Sequence, residues 1–229
     1  MKGCLFGLGA ILVGAGMIFL LMPWEVKADS NGIISEQQAN ILAKTLELRN
    51  KEFSPKVDVV FVGDSITEGA EWSDFFPSIS VANRGVGSDI TIDILRRLDS
   101  IVSLKPDYAF IMVGINDIYL GVPLSQILGR YAAIVESLRK NDIEVVIQST
   151  IQCQPSECFY KSEIVNELNA SLKQYAKSLN IRFVQLGVLS KKDGLESIHT
   201  YDGVHLNGKG YRVWVESISP ILRDMGVVN

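Results

Sequence analysis

Histidine is scarce in this sequence: only His199 and His205 occur among 229 residues. Any mechanism that needs an imidazole therefore has two candidates. The three cysteines, Cys4, Cys153 and Cys158, form no Cys/His cluster with zinc spacing, so no metal is expected and no cofactor is implied. Lysine and arginine together number 22 against 26 acidic residues, a formal charge of -4, and no basic run is present. The electrostatic footprint of a nucleic-acid binder is missing. Internal repeats and low-complexity segments are lacking too, which excludes solenoids and linker-like chains. No apolar stripe stands apart from the core stripes, so a monomer is the default expectation.

What is present begins with a long uncharged run. Residues 3–22 carry no charge, follow Met1-Lys2 and end at Pro23. At about 1.5 Å per helical residue the run is long enough to cross a bilayer, and it is somewhat longer than the core of a usual signal peptide. Val26 and Ala28 place small residues three and one before a cut between Ala28 and Asp29. Residues 1–28 are thus expected to be a signal peptide or membrane anchor, and 29–229 a single domain. The protein is expected to be exported: periplasmic, extracellular or attached to the membrane through residues 3–22. Cys153 and Cys158 share one loop and would either pair in an oxidising compartment or remain thiols.

Along the domain, strand-like and helix-like segments alternate. Ser35 and Gln38 look like a capping box opening a helix with Ala39, Leu42, Ala43 and Leu46 on one face. Strands are expected at Val57–Val62, Ile79–Ala82, Tyr108–Val113, Ile143–Ile147 and Ile181–Leu186. Between them lie stripes of helical period: Ile90, Ile94, Leu98 and Ile101; then Leu124, Ile127, Leu128, Tyr131, Val135 and Leu138. A third stripe holds Ile164, Leu168, Leu172, Tyr175 and Leu179, and a last helix starts near Lys209. Trp72, Phe75 and Phe76 read as core. This alternation implies an α/β fold with a parallel sheet of about five strands, helices on both faces. Sites in such sheets lie beyond the carboxyl ends of the strands.

Four polar stretches would gather on that edge. Gly63-Asp64-Ser65 follows the first strand, Asn83 to Asp89 the second, Gly114-Ile115-Asn116-Asp117 the third, and Asp202-Gly203-Val204-His205 comes after the fifth. Ser65 with Glu68 reads either as a capping box or as a nucleophile at a strand-to-helix turn. His205 is either a structural imidazole or a base for a serine, with Asp202 orienting it. Backbone amides at Ser65 and at Gly87 or Ser88, with the Asn116 side chain, could stabilise an oxyanion; Asn116 could equally cap its turn.

These four blocks, in this order and spacing, resemble the SGNH, or GDSL, hydrolases over residues 57–215, in the branch of platelet-activating-factor acetylhydrolase subunits and lysophospholipase-like enzymes. The resemblance implies a three-layer flavodoxin-like fold and metal-free ester hydrolysis. It further implies Ser65 as nucleophile, His205 as base, Asp202 as its partner and Asn116 in the oxyanion hole. The family's oxyanion glycine falls on Ser88, whose amide serves only if its dihedral angles suit a non-glycine residue; otherwise Gly87 takes the role. His199 matches no block and is read as a loop residue. The function expected is a serine esterase acting on small acyl groups attached to carbohydrate or lipid. The alternatives are a lysophospholipase or thioesterase with a long acyl pocket, and a non-catalytic binding module. A module would not need all four polar residues together.

Overall fold

The structure is a computed structural model, which describes residues 56–158, 161–191 and 194–228. The uncharged run, the cut after Ala28 and the helix expected after Ser35 lie outside the described residues.

Five parallel strands form the sheet: β1 (Val59–Gly63), β2 (Val81–Gly85), β3 (Tyr108–Met112), β4 (Glu144–Gln148) and β5 (Arg182–Val184). Their spatial order is β2-β1-β3-β4-β5, with the switch in strand order at β1 and β3. This is the flavodoxin-like order, and it predisposes the carboxyl edge beside β1 to hold a site. Every residue of β1 is buried, as expected of a β-branched run covered on both faces.

The helices fall on two faces. After β1 come α1 (Ser65–Glu68) and α2 (Trp72–Phe75); α3 (Thr91–Arg96) and α4 (Leu98–Val102) join β2 to β3. The chain continues with α5 (Ile115–Tyr119), α6 (Leu124–Lys140), α7 (Ser162–Ser178) and the closing α8 (Gly208–Asp224). Helices α3, α6 and α7 pack side by side on one face. On the other, Trp72 of α2 meets Trp214 of α8 edge to face at 5.0 Å and stacks on Phe61 of β1 at 3.8 Å. The chain leaves β1 in one direction to reach β2 and returns in the other to build β3 to β5. Right-handed crossovers of opposite travel place their helices on opposite faces.

Some expectations shift. The second strand lies at Val81–Gly85 rather than 79–82, because polar Asn83 and Arg84 are accommodated in an edge strand. The stripe at 90–101 is two helices rather than one. Arg97 leaves helical geometry (φ -112°, ψ 15°) and sends its guanidinium inward. In α7 the buried face is Val165, Leu168, Leu172 and Ala176; Ile164 and Leu179 are exposed. Phe75 is likewise exposed while Trp72 and Phe76 are core.

Candidate active site

Ser65 stands at the end of β1. Gly63 allows the close turn there, since a Cβ would come within 2.3 Å of the Met112 carbonyl oxygen. The cap of α1 is Asp64, whose carboxylate accepts the Ile66 amide at 3.0 Å. Ser65 is thus the first helical residue, not the cap, and the box with Glu68 is not formed. Its hydroxyl is left for other work.

That hydroxyl meets His205. Ser65 Oγ lies 2.9 Å from His205 Nε2, and His205 Nδ1 lies 2.7 Å from Asp202 Oδ2. The other Asp202 oxygen accepts the amides of Val204 (2.9 Å) and His205 (2.7 Å). A tight turn holds both ends of this unit. Thr200 Oγ1 donates to the His205 carbonyl at 2.6 Å and accepts the Gly203 amide at 2.9 Å. Partial burial works against the Asp202 anion, but the His205 ring and the two amides outweigh it and hold the carboxyl at about 2. Asp202 is thus an anion wherever an esterase would operate, with an oxygen fixed on the imidazole.

The oxyanion candidates converge on the same edge. As the first residue of α1, Ser65 has an amide with no intrahelical acceptor. Val86 to Asp89 form a turn closed by Asp89 N–H donating to Val86 O (3.2 Å). Ser88 sits in it at φ +65°, the left-handed region that glycine adopts freely. Among the described residues no acceptor takes the amides of Gly87 or Ser88. Asn116 donates its side-chain amide to the Asp89 carbonyl at 3.0 Å, which fixes it beside this turn. His199 lies apart, its Nδ1 3.2 Å from the Leu189 carbonyl oxygen.

Below the edge lies a buried charged frame that the sequence patterns do not reveal. Arg97 donates Nε to Asp89 (2.7 Å) and Nη2 to the carbonyls of Arg84 (2.9 Å) and Gly63 (3.2 Å), tying the ends of β1 and β2 to the turn. Asp117 accepts both the amide and hydroxyl of Thr91, locking the third block to α3. Burial is the main influence on the acids: it raises Asp89 to about 6 against the pull of Arg97. Asp64, fully buried with one oxygen unpartnered, is raised to about 7. Above the edge, Tyr201 is 72% exposed and lies nearly parallel to the His205 ring, centroids 5.9 Å apart. Among the described residues no cluster of acidic, histidine or cysteine side chains could hold a metal.

A hydroxyl, an imidazole and a carboxylate in series, beside unused amides, is the equipment of acyl transfer. Comparison with known proteins agrees on the class. The GDSL-like Lipase/Acylhydrolase family matches residues 61–213. The chain belongs to that family of ester-cleaving hydrolases. The rat platelet-activating factor acetylhydrolase IB subunit alpha2 is 28% identical over 179 residues, spanning 72% of this chain and 74% of its own. A GDSL-like lipase structure from Bacteroides thetaiotaomicron superposes with a TM-score of 0.73 at 26% identity, covering 81% of this chain and 99% of the other. The acetylxylan esterase Axe2 of Geobacillus stearothermophilus shares the fold, at TM-score 0.61 and 20% identity over 78% and 99% of the two chains.

Proposed function

We propose that the protein is an exported serine esterase that removes small acyl groups from carbohydrate or lipid through an acyl-enzyme. The observation that carries this reading is the unbroken chain Ser65 Oγ, His205 Nε2 and Nδ1, Asp202 Oδ2. His205 takes the Ser65 proton as Oγ attacks the ester carbonyl, and Asp202 stabilises the imidazolium. The carbonyl oxygen, now negative, is received by the amides of Ser65 and of Ser88 or Gly87, with the Asn116 side chain. His205 then protonates the departing alcohol. Water, deprotonated by the same imidazole, attacks the acyl-Ser65 carbonyl; the acid leaves and Oγ recovers its proton.

Two observations support a small acyl group on a bulky alcohol. The 28% identical relative is named an acetylhydrolase. The exposed ring of Tyr201 against His205 offers a flat apolar surface to a leaving group such as a sugar ring. Export rests on the uncharged run at residues 3–22, and a Cys153–Cys158 disulfide suits an oxidising compartment. The test is hydrolysis of p-nitrophenyl esters from acetate to palmitate by the full chain. Turnover confined to acetate and butyrate supports the reading. Preference for long chains overturns its acyl part and points to lipid.

A further inference from the structure

Cys153 and Cys158 are joined as a disulfide with Cα atoms 5.9 Å apart, both side chains buried. The loop they close takes no part in the chemistry above, yet it packs on the segment that does. Gln154 N–H donates to the Gly203 carbonyl at 2.7 Å, and Gly203 lies between Asp202 and His205. Contact there is close: at φ +88°, a Cβ on Gly203 would come within 2.6 Å of Glu157 Cγ and 3.0 Å of Gln154 Oε1. Gln154 Nε2 also donates to Ser197 Oγ (2.7 Å), and Leu195 N–H to the Cys153 carbonyl (3.3 Å). Both flanks are anchored. Gln152 donates to Asn166 of α7 at 2.7 Å, and Lys161 donates to the Ile118 carbonyl at the end of α5 at 2.9 Å.

The remaining hydrogen bonds of residues 202–205 are local. Among the described residues they run to Thr200, Tyr201 or one another, except the His205–Ser65 contact and the Gln154–Gly203 bond. By hydrogen bonds beyond its own segment, the turn carrying the imidazole reaches the rest of the fold at Ser65 and, through Gln154, at the disulfide-closed loop, while Val204 packs against the core and the Thr200–Leu206 bridge closes its base. An open loop of this length gains backbone freedom, and the carbonyl it holds is released with it.

We infer that the Cys153–Cys158 loop is a positioning element for the Asp202–His205 pair, so that esterase rate depends on the disulfide. This rests on the roles proposed for Ser65, Asp202 and His205. Reduction transfers two electrons and two protons from a dithiol such as dithiothreitol to the bridge. Two thiols and the cyclic disulfide of the reagent result.

The experiment compares the full chain, oxidised and dithiothreitol-treated, with a Cys153→Ser/Cys158→Ser variant. The readouts are p-nitrophenyl acetate kinetics, the rate of Ser65 labelling by a fluorophosphonate, and the low-field imidazole proton signal of the His205–Asp202 bond. Reduction is expected to lower kcat and labelling by roughly tenfold or more, the scale on which small misplacements act, with KM held and the low-field signal lost. The double variant should be equally slow and indifferent to dithiothreitol. Gln154→Pro, which deletes the bridging N–H but keeps the disulfide, should reproduce the loss and serves where reduction unfolds the chain. Equal rates in oxidised, reduced and Gln154→Pro protein, with Ser65→Ala inactive, overturn the inference. Undiminished activity in Ser65→Ala instead removes the catalytic assignment beneath it.

Discussion

The side-chain amide of Asn116 donates to the backbone carbonyl of Asp89 at 3.0 Å, joining two loops that follow different strands. One Nδ2 proton is committed to that bond, and in the proposed mechanism the other is the oxyanion donor. The bond therefore orients a donor and steadies the turn that presents Gly87 and Ser88. Asn116→Ala should lower kcat by about 10²–10³, the usual cost of losing one oxyanion donor, with a much smaller change in KM. Steady-state kinetics on p-nitrophenyl acetate check this. A kcat within a few-fold of the parent would return Asn116 to a turn-capping role.

Ser88 holds φ +65° where a glycine would sit without cost. Left-handed geometry costs a non-glycine residue roughly 1–2 kcal/mol, part of which glycine returns through its freer unfolded chain. Ser88→Gly should then raise the melting temperature by about 2–4 °C for each kcal/mol gained in a domain of this size. Activity should be intact, because the backbone amide is unchanged. A tenfold fall in kcat would show that the hydroxyl itself participates.

Asp64 makes stability depend on pH. Burial first, then the neighbouring acids Asp89 and Asp117, raise its carboxyl to about 7, against the Ile66 amide and His205, which lower it. The unfolded chain releases this proton near 3.8 and the folded chain holds it until about 7, so the folded state binds more protons between those values. Its contribution to stability therefore falls as pH rises through that window, with a ceiling of about 4 kcal/mol. Asp64→Asn keeps the cap on Ile66 and removes the charge. Urea unfolding at pH 4.5 and 7.5 should show a smaller loss on raising the pH in the variant than in the parent. Equal losses would mean that Asp64 ionises without penalty.

The sheet was legible because its strands are short β-branched runs punctuated by glycine and polar loops, a pattern set by burial on both faces. The juxtaposition of Ser65 and Asn116 was legible for a topological reason, since each follows a strand of a parallel sheet, whereas the Asp202–His205 stretch comes after β5 and an intervening two-stranded antiparallel pair. Less legible was everything decided by one side chain turning inward. Arg97 sits in an apolar stripe of helical period, and nothing local distinguishes it from a surface arginine, yet its burial breaks the helix in two. Ser65 next to Glu68 imitates a capping box because capping chemistry and nucleophile placement use the same residue type at the same turn. Asp64 takes the cap by accepting the Ile66 amide, and the serine hydroxyl lies 2.9 Å from His205 Nε2 instead. The pairing of Cys153 with Cys158 was an open choice in the sequence, where spacing alone does not bring two sulfur atoms together.

A covalent acyl-enzyme on Ser65 is tested most directly by rapid acid quench of the full chain during turnover of p-nitrophenyl acetate. Mass spectrometry of the peptide spanning β1 and α1 should find one acetyl group on Ser65, accumulating in His205→Gln if deacylation is slowed more than acylation, and no adduct and no turnover in Ser65→Ala. Turnover that persists in Ser65→Ala, or an acetyl group on another residue that carries the flux, would contradict the account.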